Sequence, residues 1–199
     1  MIIEKERKEL SFGEFEKLTG ARWIPALDFE DFKIFSKLVK KGFKLHKKGN
    51  MTPEQLWLGR YFQEEIFSCR LPDVAIRWID PVIGWGVFSM RDFRKMEFIA
   101  EYVGKVRKRK KIDIKNAYCF EYVLVPGVRS PYTIDALEQG GVARYINHSK
   151  QPNLQSSLAT FGNISHVVLY AKEPIAKGTQ LCYDYGPEYW SKRTAPILL

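Results

Sequence analysis

The sequence is poor in the residues that cross-link small folds or hold metals. It has three cysteines, Cys69, Cys119 and Cys182, and three histidines, His46, His148 and His166, in 199 residues. The cysteines are odd in number and far apart, which argues against a disulfide framework and a cysteine-rich zinc site. They are expected to be small buried hydrophobes in a reducing compartment. The histidines stand singly, so no metal site is expected. No apolar run is long enough to cross a bilayer, and the charged opening MIIEKERKELSF lacks the apolar core of a secretory signal. A cytoplasmic or nuclear compartment without membrane contact is the expectation. No GxGxxG opens a helix after a strand, so the usual dinucleotide fingerprint is missing. Internal repeats and low-complexity tracts are missing too.

What is present is globular: hydrophobic residues are 45% and charged residues 28%, outside the range of disordered chains. The length suffices for one core plus a smaller appendage. Formal net charge is +9, from 32 Lys plus Arg against 23 Asp plus Glu, and attracts polyanions. Much of it lies in two runs. One is Lys37, Lys40, Lys41, Lys44, Lys47 and Lys48; the other is Lys105, Arg107, Lys108, Arg109, Lys110 and Lys111. Both are candidate DNA or nucleosome contacts.

Residues 1–70 read as an N-terminal helical region. Phe29, Phe32, Phe35, Leu38 and Val39 recur near helical spacing, and Gly42 is expected to end or interrupt that helix. Thr52 suits a cap, with Pro53 in the first turn and Leu56, Leu58, Tyr61, Phe62, Ile66 and Phe67 following. From Leu71 the texture becomes β-rich: VAIRWI, GVFSM, EFIAEYVG, YCFEYVLV, YTID, ISHVVLYA and TQLCYDY, separated by Gly, Pro and Asn turn residues. The regular strand–helix alternation of a parallel sheet is missing. The expected class is mainly β with α, built from short sheets and long loops.

Three segments carry the chemistry. In Gly84-Trp85-Gly86, two glycines flank an aromatic between β-runs and let a ligand approach the backbone. In Arg144-Tyr145-Ile146-Asn147-His148-Ser149, an Asn–His pair offers polar groups to a cofactor. In Leu181-Cys182-Tyr183-Asp184-Tyr185-Gly186, alternate tyrosines face one side of an extended segment.

In this order, and with EYVGKV and DALEQGGVARYINHSKQPN between them, these motifs resemble the SET-domain protein lysine methyltransferases, over roughly residues 74–190. The resemblance implies a β-clip-like fold with a pseudoknot, in which the C-terminal segment threads beneath the Asn–His loop. It implies a SET domain over 71–186 and a C-terminal flank, 187–199, closing the cofactor site. The cofactor would be S-adenosyl-L-methionine. Gly84, Trp85 and Gly86 match the loop that cradles it, and Arg144, Asn147 and His148 match the segment holding its methionine end and adenine. Tyr185 matches the catalytic tyrosine, and Tyr102 a tyrosine bordering the lysine channel. Tyr118 matches a position touching the cofactor; Tyr189, with Trp190 beside it, stands where an aromatic packs on adenine. A tyrosine at Tyr183 usually restricts the channel, which implies mono- or dimethylation.

The sequence departs from the family at Lys150, Gly141, Lys105 and Gln180, where cysteine, asparagine and two glutamates are common. No cysteine cluster flanks the domain, so the form expected is compact and free of zinc. The substrate implied is a lysine in a histone or a basic histone-like protein. A nuclear setting and a bacterial one, with delivery to a host nucleus, both fit, and a homodimer is left open. The alternatives are a non-catalytic SET-fold module that binds chromatin or DNA, and a chromatin factor that chiefly methylates itself.

Overall fold

The computed structural model describes residues 1–191. Of the expected closing flank, 192–199 therefore lie outside the described residues. The first 70 residues form β1 (Ile2–Lys5), β2 (Lys8–Glu9), α1 (Phe12–Thr19), β3 (Arg22–Trp23), β4 (Asp28–Phe29), α2 (Phe32–Lys47), α3 (Pro53–Tyr61) and α4 (Gln63–Phe67). Side-chain caps start three of the helices. The Ser11 hydroxyl accepts from Glu14 N, Asp31 accepts from Ile34 N at 2.7 Å, and Thr52 accepts from Gln55 N. Gly42 does not end α2. It lies buried within the helix, where an added Cβ would stand 1.8 Å from the carbonyl oxygen of Asn163. Close approach of helix to backbone, not a helix stop, explains the glycine.

The rest of the chain forms β5 (Val74–Asp80), β6 (Gly84–Ser89), β7 (Phe98–Glu101), β8 (Lys105–Lys108), β9 (Cys119–Tyr122), β10 (Tyr132–Asp135), β11 (Gln139–Gly140), β12 (Asn147–His148), β13 (Leu154–Phe161), β14 (Ile164–Ala171), β15 (Gln180–Tyr183) and α5 (Pro187–Trp190). Among the described residues the sheets run β12-β15-β6-β5-β1-β2, β4-β8-β10-β9, β11-β3 and β13-β14-β7. The N-terminal region is thus more than helical. Its strands β1, β3 and β4 pair in parallel with β5, β11 and β8, weaving the first 30 residues into the later sheets.

The core is apolar and continuous. Ile76, Val87, Ile99, Ile134, Ile146, Leu169 and Leu181, drawn from several sheets, are fully buried in one cluster. A second cluster joins Leu58, Phe62 and Ile66 to Phe98, Ala159, Val168 and Tyr170. It docks α3 and α4 on the β13–β14 hairpin, and Gly59 permits it: a Cβ there would be 1.8 Å from the Thr160 carbonyl oxygen.

One topological feature places the site. β15 inserts between β12 and β6. It pairs in parallel with β12 (Asn147↔Cys182, His148↔Tyr183) and antiparallel with β6 (Gln180↔Phe88, Leu181↔Val87). The C-terminal segment so enters the middle of a sheet, against an Asn–His turn made more than 30 residues earlier.

Candidate active site

The threaded segment is held by hydrogen bonds at each step. Asn153 grips it from both sides of its amide: Nδ2 donates to Gln180 O at 2.8 Å, and Oδ1 accepts from Cys182 N at 2.9 Å. Ser149 N donates to Tyr183 O at 3.2 Å. Tyr185 N donates to His148 Nδ1 at 3.2 Å, and Tyr185 OH donates to the Ile146 carbonyl at 2.7 Å. Because Nδ1 receives that backbone proton, it carries the ring's lone pair and Nε2 carries the hydrogen. The Asp184 carboxylate, 3.5 Å from the same Nδ1, is then a neighbour and not a hydrogen-bond partner.

Extended geometry puts Tyr183 and Tyr185 on one side, with ring centroids 4.8 Å apart. They open on a cleft of about 850 Å³. Gly84, Trp85, Tyr102, Tyr118, Arg144, Asn147, Tyr183, Tyr185 and Tyr189 all line it. Residues separated by 100 positions thus share one concavity. Gly86, His148 and Trp190 are not on its lining. Gly86 is buried behind it, where a Cβ would meet Ile79 Cδ1 at 2.6 Å and stand 3.3 Å from Asn147 Nδ2. His148 and Trp190 back Tyr185: the Trp190 ring lies 4.8 Å from His148 and stacks on Tyr185 at 6.0 Å.

The cleft is aromatic and polar at once. Asn147 Nδ2 donates to Trp85 O at 3.1 Å, which fixes the Gly84–Gly86 strand against the Asn–His turn. Tyr102 OH donates to Tyr118 O at 2.9 Å. The Arg144 guanidinium sits 4.3 Å from the Tyr118 ring centroid and donates to Tyr145 OH at 2.6 Å. Burial pushes the Tyr102, Tyr183 and Tyr185 phenols well above their ordinary range. At neutral pH they are therefore neutral donors and acceptors, not bases. Arg144 Nε, Gln180 Nε2 and Trp190 Nε1 are buried N–H groups without a partner among the described residues. Of these, Arg144 lines the cleft, where its N–H suits an anionic group of a ligand.

The other wall was not legible from motifs. Arg107, from the second basic run, is buried and not a surface charge. Its Nε and Nη2 donate to Asp135 Oδ2 at 2.9 and 2.7 Å, and its Nη1 and Nη2 donate to Asp113 at 2.9 and 2.7 Å. Those bonds hold the Asp113 carboxyl below its usual range. Asp135 Oδ1 also accepts from Asn116 Nδ2 at 2.8 Å, and Asn116 Oδ1 accepts from Tyr118 N at 2.9 Å. A chain of four side chains thus ties β8 and β10 to Tyr118. In the same basic run, Arg109 pairs with Glu121 at 3.0 Å.

Among the described residues, no group of His, Cys, Asp and Glu could hold a metal ion. No helix there is long and apolar enough to cross a membrane. The three cysteines are free and only partly buried; burial still pushes the Cys119 thiol up to about 11.

Comparison with known proteins points one way. The SET domain family profile matches residues 84–186, just over half of the chain. The histone-lysine N-methyltransferase Set8 of Drosophila pseudoobscura pseudoobscura is 38% identical over 112 residues, covering 52% of this chain and 16% of that protein. This chain therefore spans a small part of that relative's length. The crystal structure of Arabidopsis thaliana SUVH6 in complex with SAM aligns with a TM-score of 0.50 at 31% identity, over 59% of this chain and 28% of that one. The structure of ATXR5 in complex with histone H3.1 aligns with a TM-score of 0.63, over 88% of this chain and 86% of that one. At 17% identity that last likeness is one of fold.

Proposed function

This chain belongs to the SET-domain family, and we propose that it transfers a methyl group from S-adenosylmethionine to the side-chain amine of a lysine in another protein. One observation carries the reading. The Tyr185 phenol, bonded to the Ile146 carbonyl, meets the Asn147–His148 turn in a cleft that Tyr102 and Tyr183 share. When bound, S-adenosylmethionine supplies a methyl group on a cationic sulfur, open to in-line displacement by an amine. Gly84, Trp85, Tyr118, Arg144, Asn147 and Tyr189 would hold it, backed by Gly86, His148 and Trp190. Arg144, with its unpartnered Nε, suits the carboxylate.

The protein's own contribution is dryness and alignment. A free lysine amine has a pKa of about 10.4 and is an unreactive ammonium at neutral pH. Tyr102 and Tyr183, both buried, make an aromatic passage that disfavours the charged form. The proton leaves to water, and the freed lone pair forms the nitrogen–carbon bond as the sulfur–carbon bond breaks. The Tyr185 oxygen, whose own hydrogen points at Ile146, keeps lone pairs to hold the amine in line. Orientation of this kind is worth roughly 7–11 kcal/mol at best. No strong base is needed, and the neutral tyrosines provide none.

The substrate we favour is a lysine of a histone or histone-like basic protein, met in the cytoplasm or in a nucleus, a host's nucleus if the source is bacterial, with DNA contact through basic side chains. Residues 71–186 are then the catalytic domain, and the Tyr183 hydroxyl limits the product to one or two methyl groups. The test is a radiolabelled methyl-transfer screen across core histones, nucleosomes and bacterial basic proteins, with Tyr185→Phe beside the parent. Transfer to one class, falling about 100-fold or more in the variant, is expected. Cofactor binding without transfer to any of them would leave a non-catalytic module instead.

A further inference from the structure

We propose that the exposed face of α2 grips the phosphate backbone of duplex DNA without reading its sequence. This narrows the DNA contact named above; it rests on a polyanion partner and not on methyl transfer. Between Phe32 and Pro53 the chain has no Asp or Glu at all. Lys33, Lys37, Lys40, Lys41, Lys44 and Lys47 lie in the helix and Lys48 follows it; all seven are exposed. Among the described residues none of them makes an ion pair with a carboxylate.

Their spacing makes a line. Lys33, Lys37, Lys40, Lys44 and Lys47 recur every three or four residues, which is one face of a helix. At a rise of 1.5 Å per residue the line runs about 21 Å. With one phosphate per roughly 3.4 Å of each strand, it faces about six phosphates. The opposite face is occupied: Ile34, Leu38 and Gly42 are buried against the protein. A helix that lies on a membrane needs its apolar face free for lipid; here Ile34, Leu38 and Gly42 face the protein, and although Phe32, Phe35 and Phe43 are exposed beside it, the line of lysines itself is a row of cations that suits a phosphate backbone.

The second basic run is the weaker surface: it keeps Lys108, Lys110 and Lys111 exposed but loses both of its arginines to carboxylates. Arg107 is buried between Asp113 and Asp135, and Arg109 is paired with Glu121. DNA affinity should therefore be governed by α2. No base edge is within the vocabulary of a row of lysines that contact phosphate only, so binding should ignore sequence.

The experiment is fluorescence anisotropy with 20-base-pair duplexes of unrelated sequence, titrated between 50 and 200 mM salt. Five phosphate contacts predict an affinity loss of about 500-fold across that range for the parent. The triple variant Lys37→Gln/Lys40→Gln/Lys44→Gln should lose only about 10-fold, because two contacts remain. A control, Lys108→Gln/Lys111→Gln, should keep the parent's slope. Unchanged unfolding midpoints confirm that the variants are folded, since every replaced side chain is exposed. Equal slopes for parent and triple variant overturn the proposal, as does a control that loses as much. Binding to phosphatidylserine-containing vesicles in place of DNA also overturns it. Methyl transfer to a short lysine peptide should be untouched by the triple variant. A parent that binds DNA as described yet methylates nothing refutes the enzymatic reading alone.

Discussion

The two walls of the cleft are held by opposite means. One wall is the threaded segment with Tyr183 and Tyr185, fixed by neutral bonds: Asn153 to Gln180 and Cys182, Tyr185 to Ile146 and His148. The other is the β8–β10 side with Tyr102 and Tyr118, fixed by the Arg107–Asp113–Asp135–Asn116 chain. The neutral wall carries the residues expected to touch the reacting atoms. The charged wall carries Tyr102 and Tyr118 on the same cleft, and its ion pairs hold those aromatics from behind.

This contrast can be broken from either side. The largest effect on stability is expected at Asp135→Ala. It strips Arg107, Asn116 and the Leu137 amide of an acceptor and should cost about 3 kcal/mol, the low end for a broken buried pair because Asp113 stays with Arg107. A denaturation midpoint measures it, and KM should rise as Tyr118 loses its tether. Asn153→Ala removes two bonds from the neutral wall, for about 1–3 kcal/mol. Its sharper signature is activity lost below the global melting temperature, as β15 loosens first; parallel loss of activity and fold would argue that the walls are not separable.

A pH scan separates the walls without mutation. The Asp113 carboxyl is held below its usual range by Arg107, so its stabilisation is present above the unfolded value of about 3.9 and is lost as pH falls through the lower folded value. The tyrosines are raised by burial, so theirs is present below about 10 and is lost as pH rises. Acid should therefore loosen the charged wall and alkali the threaded one. Arg107→Met should flatten the acid limb and leave the alkaline limb, read by tyrosinate absorbance, in place. The smallest change in rate, within a few fold, is expected for Tyr183→Phe. Its product should shift toward more methyl groups by mass spectrometry, because the hydroxyl no longer fixes a water where a methylated amine must turn.

The neutral wall was legible in the sequence because its residues stand in short contiguous words, RYINHS and LCYDYG. The charged wall was not. Whether Arg107 is a surface cation or a buried clamp is decided by Asp113, folded back from six positions on, together with Asp135, 28 positions away, and no short contiguous motif joins the three. Local pattern failed elsewhere for equally physical reasons. LQSSLATF shows no clear alternation, yet it forms β13 because β14 gives it eight consecutive partners. The strands β1–β4 are two to four residues long, too short for a period to register. Gly42 reads as a helix breaker in isolation, whereas its missing side chain is what lets α2 meet the Asn163 carbonyl.

β15 is the last strand of the chain among the described residues, yet its place is internal, between β12 and β6. Until it arrives, both neighbours expose unpaired edges, a hazard for self-association during synthesis. Tyr185 rides two residues behind that strand. Assembly of the cleft wall that carries Tyr185 therefore waits on the longest-range pairing in the sheet, and the same strand that brings the phenol also closes both edges.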